Sequence, residues 1–229
     1  MNSTSKPYRN ILVFDTETTG LIQKNAPLEE FPYITQFSFM VYDVQNEMIR
    51  SSFNTYIKLP DNVVISDFVS QLTGVTNEIC DKQGIPITEA LGIFYHTMNI
   101  CDCVVGHNIE FDIQMVNNEI VRNLHSLKQF PDIKNMFDKN RLIKLGIQTD
   151  CTMRMTIESC SLYRTTENNK KYKKFPKLVE TYYHLFNETP ENLHNSMVDT
   201  LVCLRCYLKI KFNIIIDNDR FNEFIDIFL

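Results

Sequence analysis

Tryptophan is absent from this 229-residue chain, an absence that by itself carries no functional conclusion. More telling is the lack of any apolar run near the ~18–20 residues that a membrane helix needs. The stretch Met1 to Asn10 is polar and has no apolar signal core, so a cytoplasmic or nuclear setting is expected. Positive charge is not in excess either. Lys and Arg number 23 against 28 Asp and Glu, for a net charge of −5. That disfavours a protein gripping a polyanion over one broad basic face, but not a small site that recruits cations. The seven cysteines are an odd number without a signal peptide, which suits reduced thiols. Cys101-Asp-Cys103 and Cys203-Leu-Arg-Cys206 lie far apart, and no further paired Cys or His motif completes a zinc pattern. Buried, inert thiols are expected. No internal repeat and no long low-complexity linker is present.

Hydrophobic residues at 44% and charged residues at 22% are ordinary globular usage. Asn10 to Asp15 is an apolar run ending in a carboxylate and reads as a buried strand, followed by a turn from Thr16 to Leu21. Ile34 to Tyr42 and Ile49 to Leu59 read as two more strands, joined near Asp43 to Glu47. Ser66 to Leu72 and Thr88 to Ile100 look helical, the second capped by Thr88. Cys103 to His107 is a short strand. Asn108 then caps a helix to about Asn123, with Ile113, Val116 and Ile120 on one face. A fifth strand falls within Leu142 to Thr152. Lys177 to Leu185, Ser196 to Lys211 and Asp219 to Leu229 read as helices. This order predicts an α/β fold with a mixed five-stranded sheet flanked by helices on both faces. Residues 1–229 are expected to form one domain, with a core at about 9–211, a polar lead 1–8 and a helical tail 212–229. Leu124 to Leu145 has no clear assignment; its Phe130-Pro131 and basic residues could meet a partner or substrate.

Three segments carry possible chemistry. Asp15-Thr-Glu17 closes the first strand, and residues two apart on a strand project to one face. His107-Asn108-Ile109-Glu110-Phe111-Asp112 sits where a strand passes into a helix. His194-Asn195-Ser196-Met197-Val198-Asp199 opens a later helix. Each has a plain structural alternative. Acids favour helix N-termini, Asn108 suits a cap, and Ser196 to Asp199 matches a capping box. Together they are more specific. Four carboxylates converging on one pocket repel one another unless cations occupy it. Hard oxygen ligands favour Mg²⁺ or Mn²⁺ over Zn²⁺, and paired divalent ions are common machinery for phosphodiester cleavage.

The sequence resembles the DEDDh, DnaQ-like 3′–5′ exonucleases of the ribonuclease H-like fold. Val13 to Leu21 is similar to the first motif of that family, Val105 to Asp112 to the second, and His194 with Asp199 to the third. Lesser echoes are Gln36, Leu72 to Thr76 and Asp150 to Thr152. The resemblance implies two divalent ions, Mg²⁺ or Mn²⁺. Asp15 would bridge both, Glu17 and Asp199 would complete the site of the attacking water, and Asp112 would help hold the second ion. His194 would be the general base. Backbone around Thr18 and Gly20 would hold the terminal nucleotide, Leu21 would pack on its base, and Asn108 and Phe111 would shape the pocket. Glu110, an extra acid, should point outward.

The substrate implied is a single-stranded or frayed DNA 3′ end, giving nucleoside 5′-monophosphates. RNA 3′ trimming is the alternative, and a catalytically silent nucleic-acid-binding or polymerase-associated module is a third reading. A polymerase or repair partner is compatible with it, a membrane is not. Arg164 to Lys177 adds a local excess of six basic residues over one acid, with Tyr172 and Phe175 interleaved. Lys170, Lys171, Lys173 and Lys174 are candidate contacts to a substrate strand; a solvated loop is equally compatible.

Overall fold

The apolar run after Asn10 forms the central strand and continues past its predicted end. In the structure, a computed structural model describing residues 9–23 and 27–228, β1 spans Asn10–Thr18. The lead 1–8 lies outside the described residues. β1 pairs antiparallel with β2 (Ile34–Asp43), and β2 with β3 (Met48–Tyr56). Helices α1 (Asp67–Thr73), α2 (Asn77–Gln83) and α3 (Ile87–Met98) follow. Strand β4 (Cys103–Gly106) runs parallel to β1 and leads into α4 (Ile109–Arg122). Then come α5 (Lys139–Leu145), β5 (Gln148–Cys151) parallel to β4, α6 (Thr152–Met155) and α7 (Ile157–Cys160). A hairpin of β6 (Tyr163–Thr165) and β7 (Lys171–Lys173) precedes α8 (Leu178–Phe186), α9 (Ser196–Phe212) and α10 (Asn218–Phe228). The main sheet has the order β3-β2-β1-β4-β5. No helix among the described residues is long and apolar enough to cross a membrane.

Strand alternation divides the core. Leu12 and Phe14 face α3 and α4, where Phe94 lies 5.1–5.2 Å from the rings of Phe14, Phe37 and Phe39. Ile11 and Val13 face α9. That helix is buried almost all round because the sheet covers one side and α8 and α10 the other. All seven cysteines are free thiols, and six are buried.

Several local expectations are corrected. Residues Thr16 to Thr18 are strand, not turn, because they pair with Ile34 to Phe37. α3 begins at Ile87 after Pro86, whose fixed φ of −57° ends the preceding loop, so Thr88 is not its cap. Asn108 stands at the start of α4 but in the left-handed region (φ 64°), and its side chain caps nothing. The cap of α9 is Asn195, whose Oδ1 accepts from the Met197 N–H at 3.0 Å, so no Ser196 capping box forms. Phe130 is absorbed by the fold. Its ring lies against Gly92, where a Cβ would meet it at 2.6 Å, and Tyr95 Oη donates to the Pro131 carbonyl at 2.6 Å.

Candidate active site

Parallel pairing of β1 with β4 ends at Val13 and Val105, while β1 runs on to Thr18. The crevice beyond the carboxyl ends of parallel strands is where open α/β sheets hold ligands. Asp15 and Glu17 continue the Ile11, Val13 face and meet Asp199 from the first turns of α9. One ligand atom from each of the three lies within 4.8 Å of the others. Thr16 points the other way, towards α4. Its N–H and hydroxyl both donate to Asp112 Oδ1, at 3.1 and 2.7 Å. Asp112 therefore sits behind the trio, close enough for its charge to act on Asp15 and Glu17.

Burial and mutual repulsion leave these acids reluctant to ionise. Desolvation, then the charges of Asp112, Asp199 and Glu17, hold Asp15 well above the carboxylate range. Desolvation and the charges of Asp199 and Asp112 push Glu17 up to about 8. Desolvation pushes Asp112 and Asp199 up to about 7. Asp199 Oδ1 is buried and has no hydrogen-bond partner. An orphaned carboxylate oxygen beside two further carboxylates is a donor set that fits a hard cation.

The linkage has a definite sign. Folded-state pKa values above the unfolded ones mean that the folded protein holds more protons, so metal-free stability is lost as pH rises towards 8. His107, pushed down to about 4 chiefly by desolvation, works in the opposite sense but titrates below about pH 6.5 in both states. The melting temperature of metal-free protein is therefore expected to fall between pH 6.5 and 8.5. Mn²⁺ at a hundred times its Kd should add about 2.7 kcal/mol, or roughly 5–10 °C, at pH 8. The gain should be smaller at pH 6.5. Scanning calorimetry with Mn²⁺ and with chelator reads this directly; a Mn²⁺ shift larger at pH 6.5 would contradict it.

The start of α9 is clamped to the sheet. Gln36 Oε1 accepts from the Ser196 N–H at 3.2 Å, and its Nε2 donates to Asn195 Oδ1 at 3.3 Å and Asn54 Oδ1 at 3.0 Å. Ser38 Oγ lies 2.6 Å from Ser196 Oγ. These buried bonds fix the turn that carries Asp199. Only Gln36 gave a signal in the sequence; the shares of Ser38 and Asn54 depend on β2–β3 register. Thr16 carries no chemical signal of its own, although the alternation that aligns Asp15 and Glu17 turns it towards α4.

His194 precedes that clamp. It is exposed, its φ of 69° is left-handed, and its N–H donates to Asp199 Oδ2 at 3.3 Å. Leu21 is 82% exposed, an apolar side chain with nothing packed over it. Thr18 Oγ1 donates to the Gly20 carbonyl at 2.6 Å, closing the turn beneath Leu21. Asn108 is exposed and Phe111 half-buried at the start of α4. Glu110 points outward to Arg154 at 2.9 Å. His107 is a structural pin. Its Nε2–H donates to the Pro176 carbonyl at 3.0 Å, so Nδ1 accepts from the Thr152 hydroxyl at 2.9 Å. Of the candidate lysines, Lys170 and Lys171 are exposed, whereas Lys173 is ion-paired with Glu158 and Lys174 with Glu180.

The RNase T exonuclease family model matches residues 12–207, which takes in all three motifs. The fold is similar to exonuclease I of Methylocaldum szegediense, with TM-score 0.64 and 16% identity over 94% of this chain and 42% of that one. It is also similar to E. coli exonuclease I in complex with a dT13 oligonucleotide, with TM-score 0.61 and 16% identity over 88% of this chain and 41% of that one. In sequence, ERI1 exoribonuclease 2 of Xenopus laevis is 28% identical over 87 residues, 38% of this chain and 12% of that protein. The chain thus spans well under half the length of each. With its β3-β2-β1-β4-β5 sheet and its three motifs inside the matched region, the chain belongs to the RNase T exonuclease family, the DnaQ-like 3′–5′ exonucleases of the ribonuclease H-like superfamily.

Proposed function

We propose that this protein is a metal-dependent 3′–5′ exonuclease that removes nucleoside 5′-monophosphates from single-stranded or frayed DNA ends. The observation that carries the reading is the convergence of Asp15, Glu17 and Asp199 within 4.8 Å, with one buried carboxylate oxygen unpartnered. Asp15, Glu17, Asp199 and, behind them, Asp112 would hold two Mg²⁺ or Mn²⁺ ions. Bound there, such ions offset the charge of the scissile phosphate and of the attacking and leaving oxygens. His194 accepts the proton of the attacking water; its exposure and the bond from its backbone N–H to Asp199 Oδ2 support that role. Leu21 packs on the terminal base, Thr18 and Gly20 shape the turn that receives its sugar, and Asn108 and Phe111 flank it. Apolar packing on a base face is indifferent to sequence, which suits an exonuclease.

DNA is the first reading because the Thr18-Thr19-Gly20-Leu21 turn and the layout are similar to those of proofreading-type members, and one solved relative carries a dT13 strand. RNA is the second, favoured by the exoribonuclease similar in sequence. One sequence made as DNA and as RNA, digested side by side with Mn²⁺, separates them. A higher kcat/KM on DNA is expected. Faster digestion of RNA would transfer the function to 3′ trimming of RNA, and no digestion of either would leave the silent binding module.

A further inference from the structure

The hairpin of β6 and β7, with the turn between them, carries four of the six basic residues of the Arg164–Lys177 segment. Register places Arg164 directly opposite Tyr172 on one face, with Lys170 two residues along the same strand direction. Tyr163 and Lys171 lie on the other face. Tyr163, Tyr172 and Phe175 are 56%, 46% and 55% exposed, an unusual display of rings on so small an element. Lys173 and Lys174 are neutralised at its base by Glu158 and Glu180. Among the described residues no carboxylate lies within ion-pair distance of Arg164, Lys170 or Lys171. The base is fixed to the site. Pro176, which follows Phe175, is held by His107, and His107 follows the last residue of β4. From Pro176 to Lys170 the chain spans roughly 20 Å at about 3.3 Å per residue, the reach of a few nucleotides.

We infer that the hairpin is a second strand-binding site. It holds the single-stranded segment upstream of the 3′ end on the face that carries Arg164, Lys170 and Tyr172, with phosphates on the two cations and a base on the Tyr172 ring. Alternating cations and exposed rings match the repeating phosphates and π-faces of a single strand. This rests on the exonuclease reading and deepens it. The substrate is a strand with a single-stranded tail of several nucleotides, not a dinucleotide or a blunt duplex end.

The test uses the full chain and fluorescein-labelled dT20 in chelator, read by anisotropy, so no turnover is needed. Arg164→Ala/Lys170→Ala should weaken binding and lower the slope of log K against log salt by about 1.4, near 0.7 per lost phosphate contact, whereas Lys171→Ala on the other face should change it little. Tyr172→Ala should weaken binding roughly 5- to 100-fold with the slope unchanged. In turnover assays with Mn²⁺, the kcat/KM advantage of dT20 over dT3 should shrink in the double variant and in Tyr172→Ala. Matching melting temperatures establish that the variants fold. Unchanged Kd and salt slope, with the preference for dT20 intact, would overturn the inference while leaving the exonuclease standing. Lost binding without any turnover in the unmutated protein would support the hairpin and overturn the exonuclease.

Discussion

Asp199→Asn should lower nucleotide release by at least about three orders of magnitude. Metal-supplied stabilisation of developing charge is worth several kcal/mol, and about 4 kcal/mol corresponds to that factor. The substitution keeps the volume of the side chain and the Gln36 clamp on Asn195 and Ser196, so α9 should still start in the same place. It also removes one of the repelling charges. The metal-free variant should therefore melt at the same or a higher temperature than the unmutated protein at pH 8, where Asp199, raised to about 7, is largely ionised. Loss of activity with gain of stability is the signature of a residue kept for chemistry. Turnover within tenfold of the unmutated protein would remove Asp199 from the site.

His194→Ala should cost about 10²- to 10⁴-fold in kcat, the usual contribution of a positioned general base. Its consequences for metal binding should differ from those of Asp199→Asn. The His194 ring is exposed, and the bond to Asp199 comes from its backbone N–H, which alanine retains. The rise in melting temperature on adding Mn²⁺ should survive. Left-handed φ at position 194 is less favourable for alanine than for histidine, so a small loss of stability is expected as well. Undiminished turnover would exclude the general-base role. A lost Mn²⁺ response alongside lost turnover would make the residue part of the metal site instead.

The five strands of the main sheet and the long helices were legible because their apolar periodicity is strong, whereas the exposed hairpin of β6 and β7 has none and reads as loop. Val13-Phe14 on β1, Val104-Val105 on β4 and the stripe of α9 announce themselves. Misreadings gathered where tertiary pairing overrides local signals. Thr16 to Thr18 look like a turn in isolation and are strand because β2 lies beside them. Asn108 has the chemistry of a cap, yet the bend from β4 into α4 takes it to φ 64°. The short helices α2, α5, α6 and α7 carry too little apolar periodicity to stand out, although Thr76 and Asp138 accept from the first-turn amides of α2 and α5.

The acidic trio was visible as spacing. The contact of Asp112 with Thr16 joins residues 96 positions apart and could not be seen. Nor could the pairing that silences Lys173 and Lys174, since Glu158 and Glu180 reach them only through the fold.

The most direct test of the central claim follows a 5′-labelled single-stranded DNA through digestion with Mn²⁺, with Mg²⁺ or with chelator, beside the Asp199→Asn variant. A ladder shortening from the 3′ end, present only with metal, absent in the variant and accompanied by nucleoside 5′-monophosphates, is the predicted result. Intact strand in every lane, or shortening that persists in chelator or in the variant, would contradict it.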